Sequence, residues 1–131
     1  CGLKDSVSVY GTDYPTADGT CIRDYIHVWD LVQAHIAALN RMRGGGGSIV
    51  ANCGYGQGFS VFDVLNAVQR VSERVLDVRH AGRRQGDAVA VVANPQLAIR
   101  ELGWKPEYDE LELIISSALE WETHLSGKAL D

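Results

Sequence analysis

The chain has little positive charge and no long apolar run. Its 131 residues hold 12 Lys and Arg against 17 Asp and Glu, a formal net charge of −5. Without a basic surface, nucleic acids and anionic membranes are poor candidate partners. No apolar stretch reaches membrane-spanning length and no charged-then-apolar leader opens the chain, so we expect a cytoplasmic protein.

Cysteine is scarce, and its use favours the same compartment. Cys1, Cys21 and Cys53 are odd in number and form no close pair, which is typical of a reducing environment rather than of a disulfide framework. The cysteines and the four histidines show no metal-ligand spacing, so we expect no metal site. Because the chain opens on Cys1 rather than Met, we expect residues 1–131 to be one domain cut from a longer chain.

Motifs for reactive groups are also missing. There is no G-x-S-x-G nucleophile elbow, and no pattern places serine, histidine and acid together. Gly54, Gly56 and Gly58 have the spacing G-x-G-x-G, and no acidic residue ends a following strand at the distance that a dinucleotide fingerprint requires. We therefore expect a tight turn that lets the backbone approach another group closely.

The apolar patterns that are present predict an α/β domain with a small sheet and about four helices. Strands are expected at residues 6–10, 48–53 and 75–80, and the apolar run 88–93 could be extended. Helices are expected at 30–42, after the capping box of Ser60 and Asp63, after Asn94-Pro95, and from Asp109. The apolar stripes of these helices need more surface than so thin a sheet offers, which suggests a missing half.

Three arginines lie beside glycine turns, where a guanidinium can present its planar fork to a phosphate or a carboxylate. They are Arg23, Arg83 and Arg84, and Asp87 follows the last two just after Gly86. For any one of them alone, a solvated surface position is the ordinary alternative. The case for binding depends on two separated Arg-Asp clusters, each beside a turn.

Several runs of sequence, in the same order, resemble the UDP-glucose 4-epimerases, which are NAD-dependent epimerase/dehydratase enzymes among the extended short-chain dehydrogenases/reductases. The loop at residues 11–20 is the feature that narrows the resemblance to the 4-epimerases. The matching runs are residues 10–16, 18–28, 30–31, 34–35, 52–61, 83–87 and 101–106, of which Arg-Asp-Tyr-Ile-His-Val and Leu-Gly-Trp-x-Pro are shared across the superfamily.

The resemblance implies the carboxy-terminal, substrate-binding part of an extended Rossmann-type epimerase, with the amino-terminal NAD-binding half absent. Such enzymes interconvert UDP-glucose and UDP-galactose: NAD takes a hydride from the fourth carbon of the hexose and returns it to the other face, with a Tyr-x-x-x-Lys tyrosine as base. None of the five tyrosines here has a lysine four residues on. We therefore expect the parent to be an enzyme, and a homodimer, and the fragment alone to hold no NAD and to be inactive.

The resemblance also implies UDP-sugar contacts for nine residues. Arg23 and Arg84 match the family's diphosphate-binding arginines, and Asp87 matches the acid on the uridine ribose. Ser8 and Tyr10 match the strand against the uracil, whereas Tyr25, Ser60, Val61 and Val91 match other positions of the same pocket. Some relatives have a tyrosine where this chain has Val91, so acceptance of N-acetylated sugars stays open.

Two other interpretations remain at this point. The parent could be another NAD-dependent nucleotide-sugar epimerase or dehydratase, or the chain could be a non-catalytic nucleotide-sugar-binding module. An in-frame Gly-x-x-Gly-x-x-Gly turn upstream of Cys1 would distinguish an enzyme fragment from a module.

Overall fold

The structure is a computed structural model that describes residues 4–127, so Cys1 lies outside the described part. Its strands and helices are interspersed along the chain, as the sequence predicts for an α/β domain. They are β1 (Val7–Tyr10), β2 (Ile22–Arg23), α1 (Val28–Arg43), β3 (Phe59–Ser60), α2 (Val61–Ser72), β4 (Val78–Ala81), β5 (Ala90–Val91), α3 (Gln96–Leu102) and α4 (Leu111–Ser126). Within residues 4–127, no helix is long and apolar enough to cross a membrane.

The strands form two small sheets. β1 pairs in parallel with β4, and β2 lies between β3, which runs antiparallel to it, and β5, which runs parallel. The predicted strands at 6–10 and 75–80 are confirmed as β1 and β4, although β4 starts only at Val78. The small sheet and four helices of the predicted fold class are confirmed.

The predicted buried strand at residues 48–53 is wrong. That segment has no strand structure, and Val50 is 91% exposed. A strand forms only beside a neighbour that pairs with its N–H and C=O groups. Among residues 4–127 no strand lies alongside this segment, so its apolar sequence stays unpaired.

Helix α1 is confirmed, but its apolar stripe is not buried. Val32, Ile36, Leu39 and Met42 are all exposed. The opposite side of the helix enters the core, where the small Ala34 packs in a cluster with buried residues of α3 and of the segment after it. Periodicity therefore predicted the helix correctly, whereas its burial depends on surfaces that residues 4–127 do not supply.

Helices α2 and α4 pack together as the main helical pair. The predicted capping box is confirmed, because Ser60 Oγ accepts from the N–H of Asp63 at 3.0 Å and the Asp63 carboxylate accepts from the N–H of Ser60 at 2.9 Å. The apolar faces then meet in a cluster around Ala67, Leu111 and Ile115. A local cap therefore sets where α2 begins, and burial of its apolar stripe holds it in place.

His27 is the N-cap of α1. Its Nδ1 accepts from the N–H of Trp29 at 3.0 Å, and its Nε2 lies 2.8 Å from the hydroxyl of Ser117 on α4. The ring also stacks on Tyr108, with centroids 4.7 Å apart. His27 is therefore a packed histidine that caps the helix and joins it to α4.

Asp30 in the first turn of α1 is fully buried and joins three parts of the chain. Its carboxylate accepts the hydroxyl of Tyr55 at 2.7 Å and the N–H groups of Glu107 and Tyr108 at 3.0 and 2.9 Å. Its backbone carbonyl accepts from the buried indole of Trp104 at 2.9 Å. The helix start is thereby tied to the glycine turn and to the segment that leads into α4.

We expect Asp30→Asn to destabilise the fold strongly. The amide would turn N–H donors towards other donors, and leaving buried groups unpaired costs about 1–3 kcal/mol each. Urea denaturation followed by circular dichroism measures the change. Asp109→Asn, the same substitution at an exposed acid nearby, is the matched control, and equal midpoints for the two variants would contradict this role of Asp30.

Candidate functional site

Arg23 on β2 is held against β5. Its Nη1 donates to the carbonyl of Ile22 at 2.7 Å and to that of Ala88 at 3.0 Å. Its Nη2 lies 3.5 Å from Oδ1 of Asp87, and the β2–β5 pairing sets Val91 opposite Arg23. The structure thus brings three of the nine predicted site residues together: Arg23, Asp87 and Val91.

Arg84 lies on the aromatic ring of Tyr10, with the guanidinium carbon 3.8 Å from the ring centroid. It is joined to Asp87 by a tight turn, in which the N–H of Asp87 donates to the carbonyl of Arg84 at 3.3 Å. Gly86 sits in that turn at a φ of 87°, a conformation that glycine adopts without steric cost. One series of contacts therefore links Tyr10, Arg84, Asp87, Arg23 and Val91.

Ser8 belongs to the same exposed surface as Tyr10. Successive side chains of a strand point to opposite faces, and on β1 the buried Val9 faces the core while Ser8 and Tyr10 are exposed. The strand residues expected to lie against the uracil, Ser8 and Tyr10, are thus on an exposed face of β1 next to Arg84.

Ser60 and Val61 make structural contacts instead. Ser60 Oγ donates to the carboxylate of Asp18, and the N–H of Val61 donates to Thr20 Oγ1 at 3.0 Å. These bonds hold the loop at residues 11–20 against the start of α2, and neither of them involves an arginine. Tyr25 is half-buried, and burial raises the pKa of its phenol.

Arg83 contacts the loop at residues 11–20 and does not share the contacts of its neighbour Arg84. Its Nε donates to Asp13 at 2.7 Å, and its guanidinium lies 4.2 Å from the ring centroid of Tyr14. The hydrogen bond lowers the pKa of the Asp13 carboxyl. The two adjacent arginines each lie on a tyrosine, but only Arg83 has a carboxylate partner among the described residues.

Asp24 was not among the predicted site residues, yet it holds the back of the site. Its carboxylate accepts the N–H groups of Tyr55, Gly56 and Ala93 at 3.1, 2.9 and 3.1 Å. A Cβ at Gly54 would lie only 2.7 Å from the same carboxylate. The expected close approach at the glycine turn is confirmed, and Asp24 is what it approaches, although no motif links residues 32 positions apart.

Comparisons with known proteins show what the chain as a whole is similar to. A model of the NAD dependent epimerase/dehydratase family matches residues 2–54. UDP-glucose 4-epimerase of Azospirillum brasilense is 48% identical over 124 residues, which are 95% of this chain and 36% of that protein. The chain is therefore similar to proteins of the NAD dependent epimerase/dehydratase family. It spans a little over a third of the length of the curated epimerases that it matches.

Solved structures of epimerases show the same fold. The enzyme from Stenotrophomonas maltophila, with bound NAD and formylated UDP-arabinopyranose, has a TM-score of 0.89 at 41% identity and is matched over 98% of this chain and 38% of its own. The Bifidobacterium longum UDP-glucose 4-epimerase, in complex with NAD+ and UDP, has a TM-score of 0.88 at 38% identity with the same coverage. The small α/β domain therefore matches one part of the larger fold of these enzymes.

NAD does not fit the glycine turn of this domain. A dinucleotide pyrophosphate needs backbone N–H groups at the turn and at the start of the following helix. The turn already gives the N–H groups of Tyr55 and Gly56 to Asp24, and α2 gives those of Val61 and Asp63 to Thr20 and Ser60. The Asp24 carboxylate thus takes the hydrogen bonds that a pyrophosphate would need at this turn.

A cavity of about 160 Å³ lies apart from the candidate site. Side chains of α1, of α3 and of the unpaired segment at 48–53 line it, and none of the nine predicted residues does. The lining residues are Ala34, His35, Ala38, Ile49, Ala51, Cys53 and Leu102. The lining is mostly apolar, and His35 and Cys53 are its two ionisable side chains.

We expect Gly86→Ala to destabilise the chain by about 1 kcal/mol or more, because alanine at a φ of 87° is strained. Gly82→Ala in the same loop is the matched control, since a Cβ there meets nothing within 4 Å and Gly82 has no positive φ. Equal free energies of unfolding for the two variants would show that the Arg84–Asp87 turn does not need glycine.

Proposed function

We propose that residues 1–131 are the carboxy-terminal, UDP-sugar-binding portion of a UDP-glucose 4-epimerase, an NAD-dependent cytoplasmic isomerase that interconverts UDP-glucose and UDP-galactose. The observation that carries the proposal is the series of contacts from Tyr10 through Arg84 and Asp87 to Arg23. It joins residues far apart in the sequence into one surface, and each of them matches a UDP-binding position of the epimerases.

The chemistry of this surface suits a nucleoside diphosphate. Two guanidinium groups can donate charge-assisted hydrogen bonds to diphosphate oxygens. The exposed face of β1, with Ser8 and Tyr10, offers a wall for the uracil, and Asp87 can accept hydrogen bonds from ribose hydroxyls. Val91, opposite Arg23 on β5, then lies towards the sugar, with Tyr25 beyond the end of β2.

In this proposal the chain binds and orients the substrate, and the rest of the protein provides the base and the NAD site. We expect residues 1–131 alone to be inactive. The exposed stripe of α1 and the unpaired segment at 48–53 are the surfaces that we assign to contact with the missing amino-terminal half. The parent's homodimer contacts are assigned to that half as well.

Calorimetric titration of the 131-residue chain with UDP tests the binding groups. We expect Arg23→Ala and Arg84→Ala each to weaken UDP binding by about 10- to 100-fold, because a hydrogen bond to a charged group contributes about 1.5–3 kcal/mol. Arg70→Ala removes an exposed arginine that pairs with Glu112 on α4 and is the control. A wild-type chain that binds no UDP, or equal affinities for all three variants, would overturn the assignment.

A chimera tests the reaction of the parent. We expect residues 1–131, joined to the part of the Azospirillum brasilense epimerase that they do not match, to convert UDP-galactose into UDP-glucose. The same chimera with Arg84→Ala should need a higher UDP-galactose concentration for half-maximal rate, because the substrate loses a phosphate contact. A folded chimera that retains NAD but does not epimerise UDP-galactose would contradict the proposed reaction.

A further inference from the structure

In the ion pair of Arg23 and Asp87, the arginine is held by other hydrogen bonds, whereas the contact between the two charges is long. Two N–H groups of Arg23 are fixed by the backbone carbonyls of Ile22 and Ala88, at 2.7 and 3.0 Å. The contact to Asp87 is 3.5 Å, longer than the 2.7–2.9 Å usual for charge-assisted bonds. The Arg23 and Asp87 side chains are 27% and 30% exposed. An incoming anion can therefore replace Asp87 while the rest of Arg23 stays in place.

Replacing Asp87 has a cost that depends on the ligand. A phosphate oxygen that takes Nη2 of Arg23 leaves the Asp87 carboxylate without its cation and close to a second negative charge. Like charges at this range repel. A ligand that also carries vicinal hydroxyls repairs the loss by donating hydrogen bonds to the carboxylate, whereas inorganic diphosphate carries no vicinal hydroxyls.

Building on the proposed UDP site, we propose that the Arg23–Asp87 pair determines specificity, by making diphosphate binding at Arg23 depend on a ribose at Asp87. The pair selects nucleoside diphosphates against inorganic diphosphate. Arg84 is outside this coupling, because it lies on Tyr10 and no carboxylate among the described residues pairs with it. The two arginines therefore have different duties: Arg84 attracts any diphosphate, and Arg23 engages only a ligand that also satisfies Asp87.

The test compares UDP with inorganic diphosphate by calorimetry, on the wild-type chain and on Asp87→Asn, at one salt concentration. Asparagine keeps the shape and removes the charge. We expect Asp87→Asn to tighten inorganic diphosphate by about two- to fivefold, the range of an exposed ion pair. It should weaken UDP by about fivefold, because a neutral acceptor replaces a charged one. The selectivity for UDP thus falls from both sides.

Two further variants show whether the pair itself is responsible. In an Arg23→Ala background, Asp87→Asn should change inorganic diphosphate affinity less than in the wild type, because there is no arginine to release. Asp109→Asn makes the same change in net charge at an exposed acid outside the pair and should leave the selectivity unchanged. Thermal unfolding of every variant confirms that the protein titrated is folded.

The outcomes separate this inference from the proposed function. If the wild type binds UDP but Asp87→Asn weakens both ligands, Asp87 only supports Arg23 and the coupling is refuted. Equal tightening of inorganic diphosphate with and without Arg23 refutes it too, because Asp87 then acts as a lone repelling charge. A folded wild-type chain that binds no UDP overturns the proposed function and the coupling together.

Discussion

Two carboxylates, Asp24 and Asp30, accept hydrogen bonds from backbone N–H groups of separate loops. The arrangement of the domain depends on these two acids. Buried N–H groups must be paired, and irregular segments cannot pair with one another as strands do. Asp24 accepts hydrogen bonds from N–H groups of the glycine turn and of Ala93. Asp30 accepts them from the segment before α4 and from the hydroxyl of Tyr55. Tyr55 therefore contacts both acids and ties the glycine turn to the residue after β2 and to the first turn of α1.

This constraint explains how so little regular structure can position a binding surface. β2 is only two residues long, yet the residue after it, Asp24, is bonded to the glycine turn and to Ala93, which follows β5. The Nη1 group of Arg23 is consequently held by two backbone carbonyls, and its Nη2 group makes only the longer contact to Asp87. Fixed Nη1 hydrogen bonds together with a longer Nη2 contact suit a site in which Asp87 is exchanged for a ligand at Arg23.

The features that sequence reasoning predicted well are those set by near neighbours in the chain. The Ser60–Asp63 capping box spans three residues, and α3 begins directly after Asn94-Pro95. The predicted strand at 48–53 was wrong because a strand requires a partner. The stripe of α1 has the right period but lies exposed, since periodicity reports which side chains share a face and not what covers that face.

The sequence by itself determined the α/β class, the four helices, the caps and, through family resemblance, the nine residues expected at the UDP site. Only the tertiary structure decided which of them meet: Arg23 with Asp87 across 64 positions, and Arg84 with Tyr10. It also assigned Ser60 to the loop at residues 11–20 and revealed Asp24 behind the site. The physical reason is range, because caps and periods are encoded within a few residues, whereas such pairings exist only once the chain has folded.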